Sequence, residues 1–142
     1  MTTAAASILF LCLLTVALAH LLWSFGSRWP IQDPKLLAAT VIGREGVDRV
    51  PRLSAFGVML LALAGAVVGT SLADLYSGGL PLTLAGLGFG LLFLLRGALG
   101  YTSGWRAHHP REPFAALDRK IYSPLCLVVA VCFLVLVVMR LL

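Results

Sequence analysis

No Asp, Glu, Lys or Arg interrupts four long stretches of this 142-residue sequence: Met1–Ser27, Leu53–Ala73, Leu75–Leu95 and Ile121–Met139. Charged residues make up only 12% of the chain, about half the roughly 25% usual in a soluble domain. A helix rises about 1.5 Å per residue and a hydrocarbon core is about 30 Å thick, so about 20 apolar residues cross it. Each bare stretch meets that length, the last most narrowly. With 60% hydrophobic residues and a mean hydropathy of +0.98, the composition excludes an ordinary soluble globule. The expected fold is an all-α membrane protein, an up-down bundle of four transmembrane helices with left-handed packing. Spans near 4–23, 53–73, 81–99 and 122–141 leave little chain for a soluble unit, so residues 1–142 read as a single transmembrane domain.

Other absences narrow the chemistry. The three cysteines, Cys12, Cys126 and Cys132, all fall within spans, and there is no CxxC. Cys126 and Cys132 lie about 9 Å apart along one helix and point in different directions, so they cannot pair without unwinding it. They read as small packing side chains, which argues against a thiol oxidoreductase. No GxSxG, P-loop or HExxH occurs. His108 and His109 are adjacent in a loop, with no Cys or carboxylate to complete a ligand spacing, and no facing histidine pair suggests haem. Neither a metal nor a cofactor is expected. No acidic residue sits mid-span, which disfavours a small proton-coupled exporter. The formal charge of +5 is spread over two short loops without a stacking platform or recognition motif, so no nucleic-acid partner is expected.

What is present is a charge asymmetry. The first connection holds Arg28, Lys35, Arg44, Arg49 and Arg52; the third holds Arg106, Arg111, Arg119 and Lys120, with Arg96 just before it. The second connection has no Lys or Arg, and the C-terminus only Arg140. The positive-inside rule then places residues 24–52 and 100–120 in the cytoplasm and both termini outside (N-out/C-out). Ala17-Leu18-Ala19 resembles a signal-peptidase site. The stretch before it has no basic residue, however, and cleavage would put five basic residues outside, so the first run is expected to remain as a helix.

Along the chain, Asp33-Pro34 is a good N-cap and N1 pair for a short surface helix that Gly43 and Gly46 would end. Tyr76-Ser77-Gly78-Gly79 is a turn, and it makes the second and third spans an antiparallel hairpin. Gly57, Gly65 and Gly69 form a stripe on the second span, and Gly86 and Gly90 a GxxxG on the third. Such glycines serve packing within the monomer or a homodimer.

Several polar residues share one depth. His20 lies about 16 residues into the first span and Arg96 about 15 beyond Pro81, so both sit roughly 22–24 Å from the outer edge, near the cytoplasmic boundary. Trp23 is on the His20 face. Tyr101, Asp118, Tyr122 and Ser123 flank the same level. An interfacial belt of aromatic residues with a snorkelling arginine accounts for them. So does a polar pocket in which Arg96 binds a carboxylate or phosphate, sharing Asp118, while His20 moves a proton.

His20-x-x-Trp23, Trp29-Pro30, Arg96-Gly97-x-x-Gly100-Tyr101 and Phe114-x-x-Leu117-Asp118-x-x-x-Tyr122-Ser123-Pro124-Leu125-Cys126 resemble the small four-helix bacterial membrane family known as DUF3995, a domain of unknown function. The last motif is the most specific. The resemblance implies four spans and a bacterial cell (inner) membrane, with no established activity to carry over. The leading expectation is a non-enzymatic module that binds a lipid or small amphiphile, or assists a partner membrane protein, through its cytoplasmic face. The alternatives are an intramembrane enzyme using His20, Arg96 and Asp118 on a lipid-like substrate, and a small transporter. Partners are then membrane lipids, a second copy or another membrane protein.

Overall fold

The computed structural model describes every residue, Met1–Leu142. The chain is helical with no strand. In order it forms α1 (Thr2–Ser24), α2 (Pro34–Val41), α3 (Arg52–Leu72), α4 (Gly79–Leu99), α5 (Ser103–His108), α6 (Phe114–Leu117), a π turn (Asp118–Tyr122) and α7 (Ser123–Leu141). Four helical runs are long and apolar enough to cross a membrane: α1, α3, α4 and the 28-residue run Phe114–Leu141. This is a multi-pass membrane protein. Its outward faces carry exposed Leu60, Leu61, Val67, Leu91, Leu95 and Val131, a pattern suited to acyl chains rather than water.

The two connections rich in basic residues pack against each other at one end, called here the basic end. The Arg111 backbone N–H donates to the Gly43 carbonyl (3.1 Å) and its guanidinium to the Val47 carbonyl (3.1 Å). The Tyr122 hydroxyl donates to the Thr40 carbonyl at 3.2 Å. Gly43 adopts φ +70, and the Phe114 ring occupies the space a side chain would need. α2 begins on the Asp33–Pro34 pair, with the Asp33 carboxylate accepting the Lys35 N–H at 3.0 Å. It buries Leu37, Ala38 and Ala39. At the opposite end, Arg140 donates to the Asp74 and Ser77 carbonyls and to the Thr83 hydroxyl, tying the last turn of α7 to the α3–α4 turn. The one basic residue outside the basic end is thus a clamp on backbone carbonyls.

In lipid the tails are as apolar as the side chains, so close packing rather than water exclusion holds helices together. The glycines show where. A side chain on Gly65 would meet Leu13 and Phe89, and one on Gly69 would meet Leu9, so this stripe receives α1. Gly86 receives Leu72 and Val137, and Gly90 receives Leu134 and Phe133. All four are filled from within the chain, whereas nothing lies within 4 Å of Gly57. The closest pairings are therefore α1 with α3 and α4 with α7. The α3–α4 hairpin has the shortest connection but touches less, because its small residues are shared with α1 on one helix and with α7 on the other. Fully buried Leu9, Leu13, Leu72, Phe133 and Leu136 join the two pairs, and Phe133 stacks on Phe89 and Phe93 at 5.5 and 6.3 Å.

This packing predicts that Gly69→Ala costs about 1 kcal/mol, at the low end for overpacking, because the atom in the way is the far end of the Leu9 side chain. Reversible unfolding in mixed micelles reads that number. A cost above that of Gly100→Ala, treated below, would contradict it.

Candidate functional site

The chain reaches Arg96 in the last turn of α4, where its positive charge suits the helix C-terminus. Opposite it, the fourth helical run is widened. The Ser123 N–H donates to the Asp118 carbonyl five residues back, making a π turn just before Pro124. Proline lacks an N–H and its ring crowds the carbonyl four residues earlier, so a wider turn there relieves the clash. It also re-aims side chains. Residues five apart on an α-helix diverge by about 140°, and the extra residue of the π turn brings Asp118 and Ser123 onto one face.

That face meets α4. Arg96 Nη2 donates to Asp118 Oδ1 at 2.7 Å, and Arg96 Nη1 makes a longer 3.4 Å bond to Ser123 Oγ. In the third connection, α5 is capped by Thr102, whose hydroxyl accepts the Trp105 N–H at 3.3 Å. Trp105 folds back over the pair. Its ring centroid lies 4.4 Å from Arg96 Cζ, and its Nε1 donates to Asp118 Oδ2 at 2.9 Å. Each carboxylate oxygen thus has its own donor, and the guanidinium has a carboxylate and an aromatic face. Asp118 is 2% exposed and Ser123 is fully buried. Gly97 and Gly100 make the approach possible: a Cβ at Gly97 would lie 3.0 Å from the Ser123 carbonyl, and one at Gly100 would fall on the Ser123 hydroxyl.

The other sequence candidates are placed differently. Tyr101 is exposed and donates to the Arg119 carbonyl at 3.2 Å. Tyr122 packs against Phe114 while bonding Thr40. His20 and Trp23 form a separate group on α1. The His20 ring meets Trp23 edge-on at 4.8 Å, and its Nδ1 donates to the Val16 carbonyl at 2.8 Å, which leaves Nε2 as its free nitrogen. The Trp23 indole donates to the Trp29 carbonyl at 2.8 Å. No hydrogen bond or ring contact joins His20 to Arg96 or Asp118, so the three do not form one constellation. Equal depth left the side of the bundle open.

Trp105 falls within residues 100–120, read from the sequence only as a connection, and Gly97 and Gly100 were not among the glycines marked for packing. The glycines stood in the Arg96-Gly97-x-x-Gly100-Tyr101 motif, so a signal existed. For Trp105 there was none beyond proximity in the chain. The basic end also has two open cavities. One of about 330 Å³ is lined by Arg44, Leu99, Gly104, Trp105, His108 and His109. The other, of about 350 Å³, includes Arg28, Arg49 and Arg52 in its wall.

Residues 13–133 match the family described as Protein of unknown function (DUF3995), from the interior of α1 to the middle of α7. No curated protein and no solved structure matches the chain. With most of its length covered, the chain belongs to the DUF3995 family.

Proposed function

We propose that this protein is a non-catalytic module of a bacterial inner membrane that binds an anionic lipid or small amphiphile at its basic end. The carrying observation is an imbalance of charge pairing. Inside the bundle the polar groups satisfy one another: both Asp118 oxygens are occupied, and no buried side-chain nitrogen or oxygen lacks a partner. At the basic end only Lys35 and Arg111 share a carboxylate, that of Asp48, while Arg28, Arg44, Arg49, Arg52 and Arg106 have none. An anionic headgroup would supply the missing charge. An enzyme built on His20, Arg96 and Asp118 needs those groups to converge, and His20 is bonded elsewhere. Asp118 is held by two donors and is poorly placed to accept a proton from a substrate.

This reading puts the basic end in the cytoplasm. A reporter enzyme fused after Leu142 is then active only outside the inner membrane, and cytoplasmic activity of that fusion would reverse the orientation. A native mass spectrum of the detergent-solubilised protein is expected to retain phosphatidylglycerol in preference to phosphatidylcholine. Equal retention of the two, or none, would count against anionic amphiphile binding.

A further inference from the structure

We propose that the cavity walled by Arg28, Arg49 and Arg52 is a phosphate-binding site. This rests on the reading of the basic end as an anionic-amphiphile surface, and it says which part of that end holds the charged group and what the group is.

The cavity lies where the last turn of α1, the first connection and the first turn of α3 meet. Its volume, about 350 Å³, is at the small end of ligand sites, enough for a phosphate with a short polar substituent. Three arginines are among its lining residues and no Asp or Glu is. None of the three makes an ion pair elsewhere in the chain, since the three ion pairs use Lys35, Arg96 and Arg111. Three like charges around one opening repel each other unless an anion lies between them. Guanidinium groups present forked donors that match phosphate oxygens.

The local backbone makes room for this arrangement. Gly26 adopts φ +84, and the Arg52 guanidinium occupies the space a side chain there would fill, with Nη2 2.6 Å and Cζ 3.0 Å from the position of a Cβ. Any other residue at this position would be strained and would push Arg52 aside. Trp23 forms an apolar wall, its indole N–H already given to the Trp29 carbonyl. α3 begins at Arg52 without a side-chain cap, so its N-terminal dipole adds to the positive potential. The other cavity, with Arg44 and two histidines, has one permanent cation against three and a weaker claim on a phosphate.

The phosphate could belong to a lipid headgroup or to a soluble phosphate compound. The test uses the purified full-length protein in dodecylmaltoside. Binding of dioctanoyl phosphatidic acid is titrated calorimetrically, with dioctanoyl phosphatidylcholine as the zwitterionic control and inorganic phosphate as competitor. Arg49→Gln and Arg52→Gln are each expected to weaken phosphatidic acid binding about tenfold, the scale of one charge-assisted contact. Gly26→Ala, which displaces Arg52 without removing charge, is expected to weaken it to a similar extent. Arg106→Gln and Lys120→Gln remove the same charge away from the cavity and should change affinity less than about twofold. Melting temperatures without ligand identify any variant that has lost its fold, and Arg28→Gln then takes its place. Competition by inorganic phosphate would support a site for soluble phosphate compounds; binding without competition would support a headgroup site. If phosphatidic acid binds the wild type but Arg49→Gln, Arg52→Gln and Gly26→Ala bind it equally well, this cavity is not the site, although the basic end still binds amphiphiles. If the wild type binds no phosphatidic acid, both ideas fall.

Discussion

Asp118→Ala is expected to destabilise the bundle by about 3 kcal/mol, the largest effect of any single polar substitution in this chain. Breaking a buried ion pair typically costs about 3–5 kcal/mol, because the partner left behind is buried without compensation. The lower end applies because the Arg96 side chain is 28% exposed and can still reach water or headgroups, while that of Asp118 is 3% exposed. The indole N–H of Trp105 would lose its acceptor as well. A matched replacement separates loss of a partner from loss of the pair. In Arg96→Leu with Asp118→Asn, the amide oxygen can still accept from Trp105 and no charge is stranded. That double variant should lie within about 1 kcal/mol of the wild type. Arg96→Lys falls between, since an ammonium keeps the charge but lacks the fork and the flat face that rests on Trp105. Equilibrium unfolding in mixed micelles with increasing dodecyl sulfate measures all four. An Asp118→Ala protein as stable as the wild type would remove the ion pair from the account of what holds α4 to α7.

Gly100→Ala is expected to cost about 2 kcal/mol, twice the figure for Gly69→Ala, although each adds only one methyl group. Conformation is not the cause: Gly100 has φ −57 and ψ −21, which alanine adopts freely. The obstacle is what stands in the way. The new methyl would fall on the Ser123 hydroxyl and within 2.9 Å of Asp118 Oδ2. Asp118 opens the π turn, Ser123 closes it, and both are held by Arg96, so neither can swing aside as the end of a leucine can. The substitution therefore forces α4 and α7 apart and strains the Arg96–Asp118 contact. Ser123→Ala removes the blocking oxygen and gives up only a long 3.4 Å hydrogen bond. Gly100→Ala/Ser123→Ala should then be more stable than the sum of the two single changes implies, by at least about 0.5 kcal/mol. Strict additivity would show that the two positions do not meet.

Much of this was legible before any coordinates. Uncharged stretches long enough to cross a bilayer are a one-dimensional property, and they correspond to α1, α3, α4 and the Phe114–Leu141 run. The start of that last run was not legible. Pro113 read as a break in the connection and Pro124 as a residue of the first turn of the last span, yet the helix begins at Phe114 and continues past Pro124 by widening into the π turn. Depth along the membrane normal could also be counted, and it put Arg96, Asp118 and Ser123 at one level with His20. Counting residues along a helix gives height and says nothing about which side of the bundle a side chain faces. At that height Arg96, Asp118 and Ser123 meet between α4 and the last helical run, while His20 stays on α1 with Trp23. The glycines had the same ambiguity. Spacing marked Gly65, Gly69, Gly86 and Gly90 as places of close approach, and only the packed structure shows that Leu9, Leu13, Leu72, Phe133 and Leu134 of the same chain fill them.

The amino-acid order alone therefore settled the solvent and the helical class of this protein, because both depend on where charge is missing along the chain. The separation of basic residues by connection was equally plain. Tertiary structure decided the partners. The short link between α4 and α5 lets Trp105 fold back over Arg96, and one extra residue in a helical turn swings Asp118 toward it. A left-handed glycine lets Arg52 lie beside Gly26 at the edge of a cavity shared with Arg28 and Arg49. Each of these is a matter of angle and of segments distant in sequence, and no count of residues along a single helix contains that information.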